Sequence, residues 1–130
     1  MIVIDASALV KVLVEKGSSG GALRKRLRGE SLAAPAHIDA EVLSVLRGLT
    51  LSGKLDVPRA EKGLGLLEVI PLTRAPLTIH LGRSWQLKSN YNAYDALYVA
   101  LAESLSCPLI TSDARMAKGG GARCEIEVFS

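Results

Sequence analysis

The sequence predicts an α/β fold, a single domain over residues 1–130 with a central, mainly parallel sheet of about five strands. Three observations lead there. Hydrophobic residues make up 48% of the chain but aromatic residues only 4%, so the core must be built from Leu, Val, Ile and Ala. Short apolar runs of strand length alternate with stretches of helical spacing, and strands separated by helices form a parallel sheet with right-handed crossovers. At 130 residues, one domain buries roughly two-thirds of its unfolded surface without disulfides or a structural metal, and no linker is evident.

Residues 1–5 read as a short buried strand, Ile2-Val3-Ile4 ending in Asp5. Ser7 is placed to cap the helix that the spacing of Leu9, Val12 and Leu13 implies. The Gly- and Ser-rich residues 17–21 are expected as a loop, followed by a short helix marked by Leu23 and Leu27. The other positions of that helix, Arg24, Lys25, Arg26 and Arg28, form either a solvated basic face or a contact for phosphate or an acidic partner.

Residues 31–34 give a weak second strand that Pro35 ends, and Ile38, Val42, Val45, Leu46 and Leu49 form a helical stripe that Gly53 stops. Asp39 and Glu41 stand about 200° apart on that helix, so only one of them faces a common site. His37 and Glu41, four apart, share a face as metal ligands would, but a single His without nearby Cys favours His37 as a helix-start residue.

Asp56-Val57-Pro58 is a helix-opening signature that Ala60, Leu64 and Leu67 continue. Residues 69–72 are the third strand candidate. Leu77, Leu81 and Trp85 imply another helix, with His80 structural within it and Trp85 read as core or interface rather than a base-stacking platform. Residues 90–103 form a helix whose aliphatic, alanine-rich face belongs in a core, and it carries Asp95 there. Pro108-Leu109-Ile110-Thr111 is the fourth strand, residues 115–118 a helical turn, residues 119–121 a flexible break, and the alternating residues 125–129 an edge-like fifth strand.

No apolar run approaches the length of a membrane span, and residues 1–5 lack the basic start and cleavage site of a signal peptide, so the expected location is cytoplasmic. Cys107 and Cys124 have no second pair or His cluster to make a zinc site and are expected to be reduced and structural.

A carboxylate in apolar surroundings is costly unless a cation or hydrogen bonds meet it. Besides Asp95, three acids fit the same site. Asp5 and Asp113 follow apolar runs where buried strands stop, and Glu41 lies on the helix that opens after Pro35. In open parallel sheets, ligands bind beyond the carboxyl ends of the strands where strand order reverses. If strands one and four are neighbours there, Asp5 and Asp113 share a crevice over which the helices carrying Glu41 and Asp95 lean.

Oxygen-only ligation selects hard cations, Mg²⁺ or Mn²⁺. Such ions lower the pKa of a bound water, set it in line with a phosphodiester and neutralise the leaving oxygen. The expected chemistry is metal-dependent phosphodiester hydrolysis. Asp5, Asp95 and Asp113 would bind the metal, with Glu41 as a further ligand or the group orienting the attacking water. Ser7, Thr111 and Ser112 either hydrogen-bond metal waters and ligand carboxylates or cap helix and turn locally. Setting the four acids aside leaves 16 basic residues against nine acidic ones, a balance of +7 that suits a polyanionic ligand. Lys11, Arg115 and Lys118, close in sequence to Asp5 and Asp113, are the candidate phosphate contacts.

Residues 3–7, 40–42, 94–102 and 109–113 together resemble a PIN-domain ribonuclease, closest to the VapC toxins of toxin-antitoxin pairs. Order, spacing and total length all fit, and Asp5, Glu41, Asp95 and Asp113 match the acidic positions of the family one for one. The resemblance implies a three-layer α/β/α fold and an endoribonuclease cutting structured RNA such as tRNA or ribosomal RNA with Mg²⁺ or Mn²⁺. It also implies a homodimer silenced by a cognate antitoxin protein. Residues 56–85 match no motif of the family, so target choice and antitoxin fit stay open.

Other readings fare worse. A haloacid-dehalogenase-type phosphatase needs a second Asp two residues after the first, where this chain has Ser7, and a receiver domain needs its acceptor Asp after the third strand, where this chain has Leu72-Thr73-Arg74. A non-catalytic RNA-binding or regulatory protein gains nothing from negative charge concentrated in its cleft. The stripe from Ile38 to Leu49 and the leucines near Leu64 imply more apolar helix surface than one small domain covers, which also points to a homodimer.

Overall fold

The computed structural model describes every residue except Lys16. Five strands form one parallel sheet: β1 (Ile2–Ile4), β2 (Leu32–Pro35), β3 (Leu72–Ala75), β4 (Leu109–Thr111) and β5 (Ile126–Val128). Their order is β3-β2-β1-β4-β5, so the first strand is central and the chain reverses its direction of travel across the sheet between β1 and β4. Ile2, Val3 and Ile4 are all buried, as a strand covered on both faces requires.

Helices cover the sheet as α1 (Ala6–Val14), α2 (Ser18–Leu27), α3 (Ile38–Leu51), α4 (Val57–Val69), α5 (Leu81–Gln86), α6 (Ala93–Ser104) and α7 (Ala114–Lys118), with a 3-10 turn at Thr78–His80 before α5. Helices α1, α2, α3 and α4 pack as one group, and α6 packs on β1, β2 and β4 together with α5. Ala96 to Ala102 of α6 are buried without a break, so this helix is core on nearly every side. Gly63 lets α4 approach α1 closely: a Cβ there would stand 2.8 Å from Val14 Cγ1.

Element boundaries differ from the sequence reading at several places: the helix expected from residue 90 starts at Ala93, and Pro35 is the last residue of β2 rather than its stop. Residues 17–21 are not a loop, because α2 begins at Ser18. Gly20 lies close against Glu15, where a Cβ would meet the Glu15 carbonyl oxygen at 3.3 Å, so a residue of low helix propensity is accepted for its lack of bulk. The third strand starts at Leu72, three residues later than expected, since Val69 completes α4 and the Ile70 N–H still bonds the Leu66 carbonyl. Pro71 between them has no N–H to give a ladder.

Two further expectations change. Asp95 is half-buried in the first turn of α6 rather than carried into the core, and Trp85, 69% exposed, is not a core residue. The glycines after α7 are tied down: Asn90 Nδ2 donates to the Gly119 carbonyl at 3.0 Å and Arg83 Nη2 to the Gly121 carbonyl at 2.8 Å. Cys107 and Cys124 are free thiols. Burial pushes both up, Cys124 to about 11 with the help of the Glu103 charge, which makes them poor nucleophiles. Among the described residues no helix is long and apolar enough to cross a membrane.

Candidate functional site

The carboxyl ends of β1 and β4 lie side by side, so Asp5 and Thr111 meet across the strand-order reversal. Asp5 both ends β1 and caps α1, its Oδ1 accepting from the Ala8 N–H at 3.0 Å. Ser7 therefore does not cap this helix. Its hydroxyl donates to Asp5 Oδ1 at 2.7 Å and accepts from the Ser112 N–H at 2.9 Å. Thr111 donates to Asp5 Oδ2 and accepts from the Asp113 N–H at 3.0 Å. Each hydroxyl has one hydrogen. With both spent on Asp5, the 3.2 Å approach of Ser7 Oγ to Thr111 Oγ1 is packing rather than a third bond. Burial raises the Asp5 carboxyl above the ordinary range despite these three donors, and the Asp113 charge adds to the rise.

Glu41 sits in the first turn of α3, where its N–H bonds the His37 carbonyl. Its Oε1 accepts the Tyr98 phenol at 2.7 Å. His37 Nε2 stands 3.3 Å away, close enough for charge attraction when protonated, yet out of line for a hydrogen bond, and both its ring nitrogens lack a partner among the described residues. Burial works to raise Glu41, but Tyr98 and His37 outweigh it and hold the carboxyl below its usual range. The phenol bond is the better formed of the two. Asp39, as expected, turns elsewhere, with Arg74 Nε at 2.6 Å and Nη2 at 2.9 Å on its two oxygens.

Asp95 accepts no side-chain hydrogen bond from the described residues, and its N–H is held by the Asn92 side chain at 2.8 Å. Burial pushes its carboxyl up, and the charges of Asp5, Glu41 and Asp113, in that order, push it further, with Arg115 opposing. Asp95 is thus the residue at which the fields of the other three acids add. Asp113 caps α7 and is gripped by Arg115, whose Nε and Nη2 reach its oxygens at 3.0 and 2.7 Å, which holds its carboxyl below the ordinary range.

A cavity of about 520 Å³ opens between these elements, lined by Ser7, Lys11, Glu41, Ser112, Asp113 and Arg115 among others. Volume alone does not single it out, since another of about 500 Å³ lies beside Glu103, Cys107 and Cys124. Glu41 and Asp113 in its wall do, while Asp5 and Asp95 do not line it but lie near enough for the charges of the set to act on one another. Lys11 lines the cavity but donates to the Phe129 carbonyl at 3.2 Å, and Lys118, exposed one turn beyond Arg115, stands outside the wall. Ser112 Oγ is buried there without a hydrogen-bond partner among the described residues.

Every candidate ligand offers carboxylate oxygen, the donor type of Mg²⁺ and Mn²⁺. No group of three acid, His or Cys side chains among the described residues is already arranged around one ion, Asp113 being taken up by Arg115. Sequence reasoning missed Tyr98. The signal was its position one turn after Asp95 on the same helix face.

A family model described as the PIN domain matches residues 2–121. The chain belongs to the PIN-domain family. Ribonuclease VapC12 of Mycobacterium tuberculosis is 40% identical over 135 aligned residues, covering 100% of both chains, and ribonuclease VapC1 of the same organism is 41% identical over 127, covering 97% of this chain and 96% of its own. Among solved structures, M. tuberculosis VapC20, described as a sarcin-ricin loop cleaving toxin, superposes with a TM-score of 0.69 at 13% identity, covering 92% of this chain and 95% of that one. VapBC2 from Rickettsia felis, bound to a DNA fragment from its promoter, gives 0.67 at 15% identity with full coverage of both chains. The structural likenesses establish the PIN fold, a three-layer α/β/α arrangement around the parallel sheet.

Proposed function

We propose that this PIN-domain protein is a metal-dependent endoribonuclease, the toxin of a VapC-type pair. The observation that carries the reading is the approach of four acids from four distant segments, Glu41 and Asp113 in the wall of one cavity, Asp5 at the strand end beside Asp113, and Asp95 near enough to feel the charge of the other three. A protein that merely bound RNA would not concentrate such repulsion where phosphates approach. Identity of about 40% over the full length to proteins named VapC ribonucleases supports the activity.

Asp5, Asp95 and Asp113 are the groups that would hold Mg²⁺ or Mn²⁺, with Glu41 as a further ligand or as the acceptor of a water proton. The bound ion would supply an activated water and neutralise charge on the phosphate. The chain's own groups do the rest. Tyr98 orients Glu41, His37 and Tyr98 together hold its carboxyl low, Ser7 and Thr111 fix the rotamer of Asp5, and the buried Ser112 hydroxyl faces the same site. Arg115, its side chain 89% exposed, is a bidentate partner for a phosphate once it leaves Asp113.

The partners that accord with this reading are structured RNA of the tRNA or ribosomal class, a cognate antitoxin and a second copy of the chain, in the cytoplasm. Leu43, Leu51 and Val57 leave an apolar face along α3 and α4 open to a protein partner.

Cleavage of bulk RNA after chelator treatment, with and without restored Mn²⁺, tests the activity. We expect cleavage only with metal, its abolition in Asp95→Asn, and losses of at least about tenfold, or about 1.4 kcal/mol of barrier, in Glu41→Gln and Asp113→Asn. Wild-type cleavage by Asp95→Asn would remove the site assignment. Sedimentation at micromolar concentration tests the dimer, and a monomer alone would refute it.

A further inference from the structure

We propose that the cleft between α5 and the start of α6 is a nucleobase subsite, taking one unpaired base of the RNA strand that crosses the acid site; the inference rests on the ribonuclease reading. The cleft has a volume of about 460 Å³, within the range of small-ligand sites, roughly 300–1,000 Å³. Three features of its wall suit a nucleotide rather than an aliphatic side chain.

Trp85 supplies a flat ring, largely exposed in a protein with only one Trp and a core almost without aromatics. Base stacking on such a ring is tolerant of sequence because every base has a π-face. Lys88 Nζ lies over the ring, 4.9 Å from its centroid, so a base stacking on that face would displace the ammonium and free it for a flanking phosphate. Ser84 lines the cleft, is nine-tenths buried, and its hydroxyl has no hydrogen-bond partner among the described residues. A buried hydroxyl left unmatched in a well-packed protein points to a partner that arrives with a ligand.

The position fits as well. Asn92 lines the cleft and caps the Asp95 N–H at 2.8 Å, so one hydrogen bond separates this wall from the acid site. Ala93 and Leu97, four residues apart, face the cleft, and Asp95 between them faces the opposite side of α6. A strand running from one to the other crosses the N-terminus of a twelve-residue helix, whose free N–H groups favour a phosphate. The base inserted here would flank the scissile bond, and the cleft would select for an unstacked nucleotide beside it.

Because Trp85 is the sole tryptophan, its fluorescence reads the subsite directly. The probes are short single-stranded oligouridylate, oligoadenylate and an abasic oligonucleotide of equal length, titrated in chelator so that nothing is cut. The expected result is quenching by both base-bearing strands and binding at least about tenfold weaker for the abasic strand. By anisotropy of a labelled strand, Trp85→Ala should lose the same factor and Trp85→Phe retain most of the affinity. Circular dichroism should be unchanged in both, since the ring is outside the core.

Equal quenching by the abasic strand would overturn the proposal, as phosphates alone would then be bound. So would a fluorescence change that follows protein concentration and ignores RNA, which would mean that a second copy covers the ring. Metal-dependent RNA cleavage without base-dependent quenching sinks the subsite and leaves the ribonuclease reading standing; base-dependent quenching without cleavage does the reverse.

Discussion

Tyr98 donates its phenolic hydrogen to Glu41 Oε1 at 2.7 Å, a bond between the central helix α6 and the first turn of α3. Asp95 lies one turn before Tyr98, so the helix that carries one acid of the site fixes the orientation of another. Burial, and then the Glu41 charge, raise the phenol far above its usual range, so it remains a donor throughout the pH range of a folded protein.

Tyr98→Phe should therefore move the acid limb of the pH–rate profile. Glu41 is held below its ordinary pKa in the folded chain, so its contribution to stability is present above the unfolded value and fades as pH falls through the folded one. Without the phenol the Glu41 carboxyl rises, and the acid limb of kcat/KM for RNA cleavage shifts to higher pH. An unmoved limb would mean that Glu41 does not take part as a carboxylate.

Thr111→Val keeps the shape of a fully buried residue and removes two hydrogen bonds. Asp5 Oδ2 loses its donor and the Asp113 N–H its acceptor. The variant should be less stable by about 1–3 kcal/mol in urea titration at neutral pH, with the m-value unchanged. A loss below the error of the titration would show that water replaces the hydroxyl.

Much of this was legible in advance, for reasons that particular residues make clear. Asp5 and Asp113 stand at the ends of apolar runs, and an all-parallel sheet leaves such positions one common edge. The strand-order reversal between β1 and β4 then brings them together. What stayed hidden depends on contacts between distant segments. Gly20 enters a helix because it packs on Glu15, Tyr98 reaches Glu41 across 57 residues of sequence, and Arg115 closes on Asp113 in a way that makes it a local ion pair as much as a phosphate contact. Trp85 gave no sign of its exposure, since the same apolar spacing marks a core helix and one that leaves its ring outside.

Asp95→Asn should melt at or above the wild type in chelator. Burial and the neighbouring acids raise the native pKa of Asp95, so the folded chain binds this proton more tightly than the unfolded one. Its carboxylate then subtracts from stability above the native pKa, and the penalty vanishes below the unfolded value. The gap between variant and wild type should accordingly widen as pH rises out of the carboxylate range. Millimolar Mn²⁺ should raise the wild-type Tm by binding the native state, and the rise should shrink in the variant. A variant that melts well below wild type in chelator yet keeps the full Mn²⁺ response would make Asp95 a structural residue.

Replacing Arg115 and Lys118 together with Ala should flatten the log–log salt dependence of RNA binding by about one to two units. Arg115 lines the cavity and Lys118 does not, so Arg115→Ala alone should account for most of the change. An unchanged slope would place the phosphates elsewhere, with the exposed Arg24, Lys25 and Arg28 of the basic segment as alternatives.

The central place of β1 has a consequence for synthesis. Asp5 leaves the ribosome 106 positions ahead of its hydrogen-bond partner Thr111, and β1 has no neighbour on that side until β4 is made. Long-range parallel pairing of this kind is slow and comes late. A chain ending before β4 would thus carry Asp5, Glu41 and even Asp95 without the strand that draws them together, and any activity of the cleft would begin only once β4 has been made.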